Sequence, residues 1–296
     1  MSPPEWFTRA LQAPYHDRHV TVDGCRIHYL HWNPPAPDAP GLVFVHGGAA
    51  HAHWYSYIAP MFTHEWNVVS IDLSGHGDSG HRQEYAFETW ADELIAVGHD
   101  AGFPGPSVIV GHSMGGLVTV NAAYRHPDEV KGAIIVDSLL WRPDAESEEA
   151  EKGTFKRPRI YDTFEAAMAR FRLVPPQPTL HPYIIEHIGR HSLHHTERGW
   201  EWKFDPHLFT RAVHTLSTEL ADLKPRIALL RGEKSDIVPP DVAEYMYELL
   251  GRTAPFVSVP ESYHHVFVDQ PLPFVAAVRA LLRDWEHSIP WIPPKR

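Results

Sequence analysis

Cysteine is almost absent from this sequence of 296 residues, which holds a single thiol at Cys25. One cysteine excludes an intramolecular disulfide, so nothing indicates an oxidising compartment. No apolar run approaches the roughly 20 residues of a membrane-spanning helix. The opening residues MSPPEWFTRALQ also lack the basic start and apolar stretch of a signal peptide. We therefore expect a cytoplasmic protein.

Basic residues are scarce relative to acidic ones. The chain has 26 Lys and Arg against 37 Asp and Glu, a formal net charge of -11. An acidic surface repels phosphate backbones and anionic lipids, so we expect neither nucleic acid nor a membrane surface as a partner. Hydrophobic residues make up 43% and charged residues 21%, which is typical of a globular protein and argues against disorder.

Short apolar runs alternate with helical patterns along most of the chain. The runs that we expect to be strands are 41–45, 67–71, 107–110, 130–136, 226–230 and 255–259. Such alternation predicts an α/β fold, with a mostly parallel sheet and helices on both faces. Asp23 and Gly24 form a turn signal between two further runs, which predicts an antiparallel hairpin at the sheet edge.

The alternation stops after the sixth strand. Residues 139–210 have proline breaks at Pro175, Pro176, Pro178 and Pro182, and they contain several large aromatic side chains. So much apolar area is unlike a disordered loop. We therefore predict a helical cap, or lid, at 139–210, inserted into a core domain made of residues 1–138 and 211–296.

A G-x-S-x-G pattern places Ser113 directly after an apolar strand and directly before a helix. Small neighbours allow the sharp turn that projects a serine hydroxyl at the carboxyl edge of a sheet. The N-terminus of the following helix offers free N–H groups beside that hydroxyl. Ser113 is therefore predicted to be a catalytic nucleophile.

A serine nucleophile needs a positioned base and an acid that orients this base. His264 follows the last predicted strand, and Asp236 follows the strand before it. The order Ser113, Asp236, His264 is the order expected for this architecture. Asp137, after the sixth strand, is a competitor for the role of Asp236, and His265 adjoins His264.

The motifs that follow successive strands resemble those of the α/β-hydrolase superfamily, in its serine-nucleophile, esterase-like branch with a helical cap. They are His46-Gly47-Gly48, Asp72 to Ser79, Gly111 to Gly116, Gly232 to Asp236, and His264 with Asp269 five residues later. By that resemblance, the backbone N–H groups of Gly48 and Met114 form the oxyanion hole. It also implies acyl transfer without a cofactor.

The expected activity is hydrolysis of a carboxylic ester through an acyl-enzyme, so the expected partners are a small, partly apolar or aromatic ester and water. A homodimer stays open. The same fold also carries C–C bond hydrolases, cofactor-free dioxygenases and non-enzymatic ligand receptors, and these remain alternatives. The residues predicted to line the substrate pocket are Trp54, Tyr55, His112, Trp200 and Trp202.

Two histidine-rich segments raise the question of a metal site, but neither has a pattern that predicts one. His51 and His53 lie near His46 without an acidic or cysteine partner that completes a ligand set. A second group has the i, i+3, i+4 spacing of a helix face, and a solvated helix of the cap explains it as well as zinc does. This group consists of His191, His194 and His195.

Overall fold

Apolar strands that are buried along their whole length form the centre of the protein. The computed structural model describes residues 2–32, 34, 36–139, 159–209 and 216–288. The strands of the main sheet are β1 (Tyr15–Val22), β2 (Cys25–Trp32), β3 (Gly41–Val45), β4 (Asn67–Ile71), β5 (Ser107–His112), β6 (Val130–Val136), β9 (Arg226–Gly232) and β10 (Phe256–Val259). A separate two-stranded sheet pairs β7 (Leu193–Thr196) with β8 (Gly199–Trp202).

Helices connect most of these strands. They are α1 (Glu5–Leu11), α2 (Phe87–Asp100), α3 (Met114–Arg125), α4 (Phe164–Met168), α5 (Pro182–His191), α6 (Ser217–Ala221), α7 (Pro240–Leu249), α8 (Val266–Asp269) and α9 (Pro271–His287). Short 3-10 helices occupy Ala52–Trp54, Ala59–Phe62 and Pro206–Phe209. Among the described helices, none has both the length and the apolar character needed to cross a bilayer.

The edge hairpin forms as the sequence predicts. β1 and β2 pair in antiparallel register from Tyr15 opposite Trp32 to Val22 opposite Cys25. Positive φ angles of 47° at Asp23 and 74° at Gly24 make the two-residue turn, as a tight hairpin requires.

The strand order of the main sheet is β1-β2-β4-β3-β5-β6-β9-β10. From β4 to β10 the pairs are parallel, while β2 runs antiparallel to both of its neighbours. The chain moves from β3 to β4 on one side and then to β5 on the other. Open sheets of this kind bind ligands at the carboxyl ends of the strands beside such a reversal. The mostly parallel sheet and the α/β fold predicted from the sequence are confirmed by this topology.

Two apolar layers cover the sheet because successive side chains of a strand point to opposite faces. Leu42 and Phe44 of β3 pack into a layer with aromatic residues from the 3-10 helices and α9. Val43 and Val45 pack into the opposite layer with residues from α2, α3 and α7. A strand with this double burial has little freedom to shift register, so its carboxyl end is fixed in place.

The segment between β6 and β9 departs from the helical cap that the sequence predicts. Its described residues, 159–209, contain α4 and α5 but also the β7–β8 hairpin. Trp200 and Trp202 lie at alternate positions of β8, an arrangement that suits a strand. Residues 140–158 lie outside the described residues, and the division into a core and a cap at 139–210 stays a prediction.

Candidate active site

The turn between β5 and α3 holds Ser113 in a strained backbone conformation, with φ 54° and ψ -123°. Two glycines make the turn sterically accessible. A Cβ on Gly111 would lie 2.3 Å from the carbonyl oxygen of Gly115, and one on Gly115 would lie 2.4 Å from the carbonyl oxygen of His46. Both approaches exclude a side chain, and the second brings the turn directly against the loop after β3. Strain of this kind is typical of functional positions.

His264 is fixed by Asp137, a residue that is 1% exposed. The Nδ1 atom of His264 donates to Oδ1 of Asp137 at 2.9 Å. The same carboxylate accepts from the hydroxyl of Ser235 at 2.6 Å and from the backbone N–H of Gly232 at 2.7 Å. Because Nδ1 carries the proton, Nε2 of His264 keeps a lone pair that can accept a proton.

The prediction that Asp236 orients the histidine is wrong, because the structure places Asp137 there. Asp236 is exposed, whereas its neighbour Ser235 is buried and faces Asp137. The hydroxyl of Ser235 also accepts from the N–H groups of Ile237 and Val238. The loop after β9 therefore holds the carboxylate of Asp137, which follows the neighbouring strand β6. It does not supply the carboxylate that contacts His264.

The two predicted oxyanion donors belong to the loop after β3 and to the start of α3. Gly48 lines the same cavity as Ser113 and His264. Met114 is the first residue of α3, so its N–H belongs to the first turn, where N–H groups have no partner within the helix. His46 holds the loop of Gly48: its Nε2 accepts from the N–H of Leu73 at 3.1 Å, and its Nδ1 donates to the carbonyl of Gly47 at 2.7 Å.

A buried carboxylate that the sequence reasoning did not single out braces this loop. Asp72 accepts from the backbone N–H of Ala52 at 2.5 Å and of Asp78 at 2.8 Å, and it pairs with His28 Nδ1 at 2.6 Å. Burial alone would raise the pKa of Asp72, but the hydrogen bond and charge of His28 outweigh it and lower that pKa. The signal in the sequence was the polar residue directly after β4, at the same edge as the other site residues.

Ser113 and His264 line one cavity of about 420 Å³. Of the predicted pocket residues, Trp54, His112 and Trp202 line it, together with Phe171 and Phe204. A cavity of this size holds a small to medium organic molecule.

Tyr55 and Trp200 are not among the residues that line this cavity, contrary to the sequence-based expectation. Tyr55 is fully buried, stacks on Phe44 and donates its hydroxyl hydrogen to the carbonyl of Val45 at 3.1 Å, so it belongs to the core. Trp200 lies two residue pairs nearer the tip of the β7–β8 hairpin than Trp202 and packs on Phe164.

The two histidines beside His264 have structural partners of their own. His112 Nε2 donates to the carbonyl of His264 at 3.0 Å, while His265 Nδ1 donates to Gln177 Oε1 at 2.7 Å. Burial, and then the nearby His264, lowers the pKa of both groups well below the ordinary value. Both rings are therefore neutral near pH 7, and His264 is the one in contact with a carboxylate.

The cavity lining is cationic, although the protein is acidic. Among the described residues that line it, Arg159, Arg170, Arg172 and Lys203 are basic and none is acidic. Lys203 pairs with Asp78 at 2.7 Å. The three arginines are exposed, and no carboxylate among the described residues forms an ion pair with them.

The expected helical spacing of His191, His194 and His195 is wrong. α5 ends at His191, and the other two belong to β7. The structure instead brings His191 together with His187, one turn earlier on α5, and with His53 from the loop after β3. The i, i+4 spacing of His187 and His191 was the signal that the sequence reasoning missed.

Comparisons with known proteins identify esterases among the relatives of this chain. An esterase of Mycobacterium tuberculosis, Rv0045c, is 27% identical over 257 residues, which cover 82% of this chain and 83% of the relative. A pimeloyl-[acyl-carrier protein] methyl ester esterase of Neisseria meningitidis is 27% identical over 259 residues, which cover 82% of this chain and 94% of the relative.

The solved structure of E-2-(acetamidomethylene)succinate hydrolase has the same fold. It superposes with a TM-score of 0.80 at 19% identity, over 91% of this chain and all of that one. The model of the alpha/beta hydrolase family matches residues 42–278, which include every strand from β4 to β10 as well as Ser113, Asp137 and His264. The chain belongs to the alpha/beta hydrolase family.

Proposed function

We propose that the protein hydrolyses a carboxylic ester through an acyl-enzyme on Ser113, with His264 as general base and Asp137 as the acid that orients it. One observation carries this proposal: the buried contact of 2.9 Å between Asp137 and His264, at a cavity that Ser113 also lines. A buried carboxylate fixes the tautomer of the histidine and stabilises the imidazolium that forms during attack.

The reaction has two halves. Nε2 of His264 takes the Ser113 proton while Oγ bonds to the ester carbonyl carbon, and the resulting oxyanion accepts from the N–H groups of Gly48 and Met114. The C–O bond to the alcohol then breaks, and the alcohol leaves with the proton from His264. Water, deprotonated by His264, attacks the acyl-enzyme, and the acid is released as Ser113 regains its proton.

The lining of the cavity supports a substrate with an apolar portion and a negatively charged group. Trp54, Phe171 and Trp202 supply apolar walls, and the arginines at the rim supply positive charge without acidic neighbours among the described lining residues. Several relatives are named as esterases of a pimeloyl-[acyl-carrier protein] methyl ester. We therefore propose a medium-length acyl ester, with its anionic end towards Arg170 and Arg172.

A serine-directed fluorophosphonate probe tests the chemistry. The probe should label the wild-type chain once, at Ser113, and Ser113→Ala should lose both labelling and hydrolysis of a panel of alkyl and aryl esters. The thermal midpoint should stay nearly unchanged. Ester hydrolysis that survives in Ser113→Ala, or stoichiometric labelling at another residue, would contradict the proposal.

The same panel separates the alternative activities of this fold. Lactones, amides and vinylogous diketones report acyl or C–C bond cleavage, while an assay without dioxygen reports an oxygenase. Slow turnover with tight ligand retention would indicate a receptor. A cytoplasmic location also belongs to this proposal, and the single thiol, Cys25, is free and buried, as a reducing compartment allows.

A further inference from the structure

We propose that His53, His187 and His191 bind a divalent transition-metal ion of the Zn²⁺ class. The three side chains each offer one ring nitrogen, and these nitrogens all lie within 4.8 Å of one another. Imidazole nitrogen is a preferred ligand of Zn²⁺, and three histidines with an open fourth position are an established ligand set for that ion. The site would be separate from the cavity that Ser113 lines.

Two elements bring these histidines together. His187 and His191 are four residues apart on α5, so they lie on one face of the helix. His53 belongs to the 3-10 helix Ala52–Trp54 and meets them from the core. Its ring lies 3.9 Å from that of His191 and 6.3 Å from that of His187, measured between centroids.

Coordination requires a modest rearrangement of the rings. Zn–N bonds of about 2.0–2.1 Å in a tetrahedron place ligand nitrogens about 3.3 Å apart, and the three nitrogens of this cluster lie within 4.8 Å of one another. The rings of His53 and His191, which stack, must turn so that their lone pairs converge. The χ2 torsion of histidine is broad and permits such a turn.

Neighbouring groups already orient two of the rings as ligands. His191 Nδ1 donates to the carbonyl of His187 at 2.9 Å, which leaves Nε2 of His191 with a lone pair. The buried hydroxyl of Ser56 lies 2.8 Å from His187 Nε2 and 3.0 Å from the carbonyl oxygen of His53. Metal-binding histidines in proteins are typically held by such contacts of the second ring nitrogen.

The surroundings suit an ion with a water ligand. The three histidines and Ser56 line a cavity of about 250 Å³, whose other walls come from α1, Ala13 and Tyr15. That volume has room for a water molecule in the fourth position.

A bound ion would tie α5 to the loop that contains Gly48. Ser192, directly after α5, already contacts His51 from that loop: its Oγ lies 2.8 Å from His51 Nε2. His51 also lines the cavity of Ser113. The metal would therefore hold α5 against the loop that contains Gly48.

Titration with Co²⁺ tests the site without reference to catalysis. The chain, free of any polyhistidine tag, should bind one Co²⁺ with the intense visible absorption of a tetrahedral ion, and Zn²⁺ should displace it. His187→Gln and His191→Gln should each weaken binding at least tenfold, and Ser56→Ala about tenfold. His195→Gln, an exposed histidine on the neighbouring hairpin, is the matched control and should bind as the wild type does.

Circular dichroism establishes that each variant is folded, and His53→Gln provides a third ligand variant on the core side. Zn²⁺ should raise the thermal midpoint of the wild type and of His195→Gln but not that of the ligand variants. Binding that is unchanged in all three ligand variants, or lost in His264→Gln instead, would overturn the proposal. Absence of saturable Co²⁺ binding to the wild type would do so as well. None of these outcomes depends on the proposed esterase activity.

Discussion

Asp137 and His264 are 127 residues apart in the chain, yet their side chains meet at 2.9 Å and are both buried. β6, which ends just before Asp137, lies two strands from β10, which precedes His264. β9 lies between them, and both its last residue, Gly232, and Ser235 from the loop after it donate a hydrogen bond to the carboxylate of Asp137. Three hydrogen bonds therefore hold the carboxylate of Asp137 before any substrate binds.

Asp137→Asn should reduce kcat by about 10⁴ with little change in KM. The amide leaves the wrong tautomer of His264 populated, and an equivalent change in a serine protease has a loss of that order. Steady-state kinetics with the best ester of the panel measure it. Asp236→Asn is the matched control, since that exposed carboxylate should leave kcat within a factor of about two. The reverse ranking of the two variants would contradict the assignment.

The choice between these two carboxylates marks the limit of what the sequence predicts. A local pattern of small residues after an apolar strand predicts Ser113 and its turn. The apolar composition of β3 predicts that its side chains are buried on both faces of the sheet. Asp137 and Asp236 both follow strands, so local sequence cannot separate them. Which carboxylate contacts His264 depends on which side chain of the loop after β9 faces the interior. That side chain is Ser235, which donates to Asp137.

The cluster of His53, His187 and His191 could not be predicted from the sequence for a similar reason. His53 and His191 are far apart in sequence, and their contact depends on how α5 packs on the core.

The pocket residues were partly predictable because alternate positions of β8 share a face. How far along the hairpin the cavity extends is a tertiary property, so Trp202 lines it and Trp200 does not.

Arg170 and Arg172 should favour esters that carry a carboxylate. The double variant Arg170→Gln, Arg172→Gln should lower kcat/KM for the monomethyl ester of a dicarboxylic acid about three- to fivefold, because exposed charge pairs are worth only about 0.2–1 kcal/mol. The neutral dimethyl ester should be unaffected. The preference of the wild type should weaken as salt rises from about 0.02 M to about 0.5 M.

Arg190→Gln is the control for this charge effect, because Arg190 is exposed on α5 and pairs with Glu186 at 2.8 Å. It should not change the ratio between the two esters. If the double variant loses activity equally on both esters, the arginines do not recognise a negative charge.

The buried pair of His28 and Asp72 should contribute stability that depends on pH. Burial alone would lower the pKa of His28, but the hydrogen bond and charge of Asp72 outweigh it and raise the pKa above the ordinary value. The contribution of His28 is then fully present below about pH 6.5 and is lost as pH rises through the raised value. Asp17, at 3.1 Å from Nε2, adds to the same direction.

Urea unfolding of His28→Gln and the wild type at about pH 6 and pH 9 measures this effect. The difference in unfolding free energy should be larger at the lower pH. Asp72→Asn should cost about 3–5 kcal/mol, as is typical when one partner of a buried pair is removed. His99→Gln, which breaks an exposed pair with Glu129, is the control and should cost less than about 1 kcal/mol. Equal differences for His28→Gln at both pH values would argue against a charged pair.

Trp202 should set the size of the acyl or alcohol group that the cavity accepts, whereas Trp200 should not. Both are tryptophans of β8, but only Trp202 lines the cavity, where it lies near Phe171 with ring centroids 6.0 Å apart. Trp202→Ala should change the ratio of kcat/KM between a bulky and a small ester by about tenfold or more, since even one methylene in an apolar pocket is worth about 1–3 kcal/mol. Trp200→Ala removes a half-buried contact with Phe164 at a centroid distance of 5.0 Å, so it should lower stability and leave the ratio unchanged. Kinetics on paired esters and thermal unfolding of both variants separate the two roles. A shift in the ratio for Trp200→Ala alone would place the substrate nearer the tip of the hairpin than the cavity indicates.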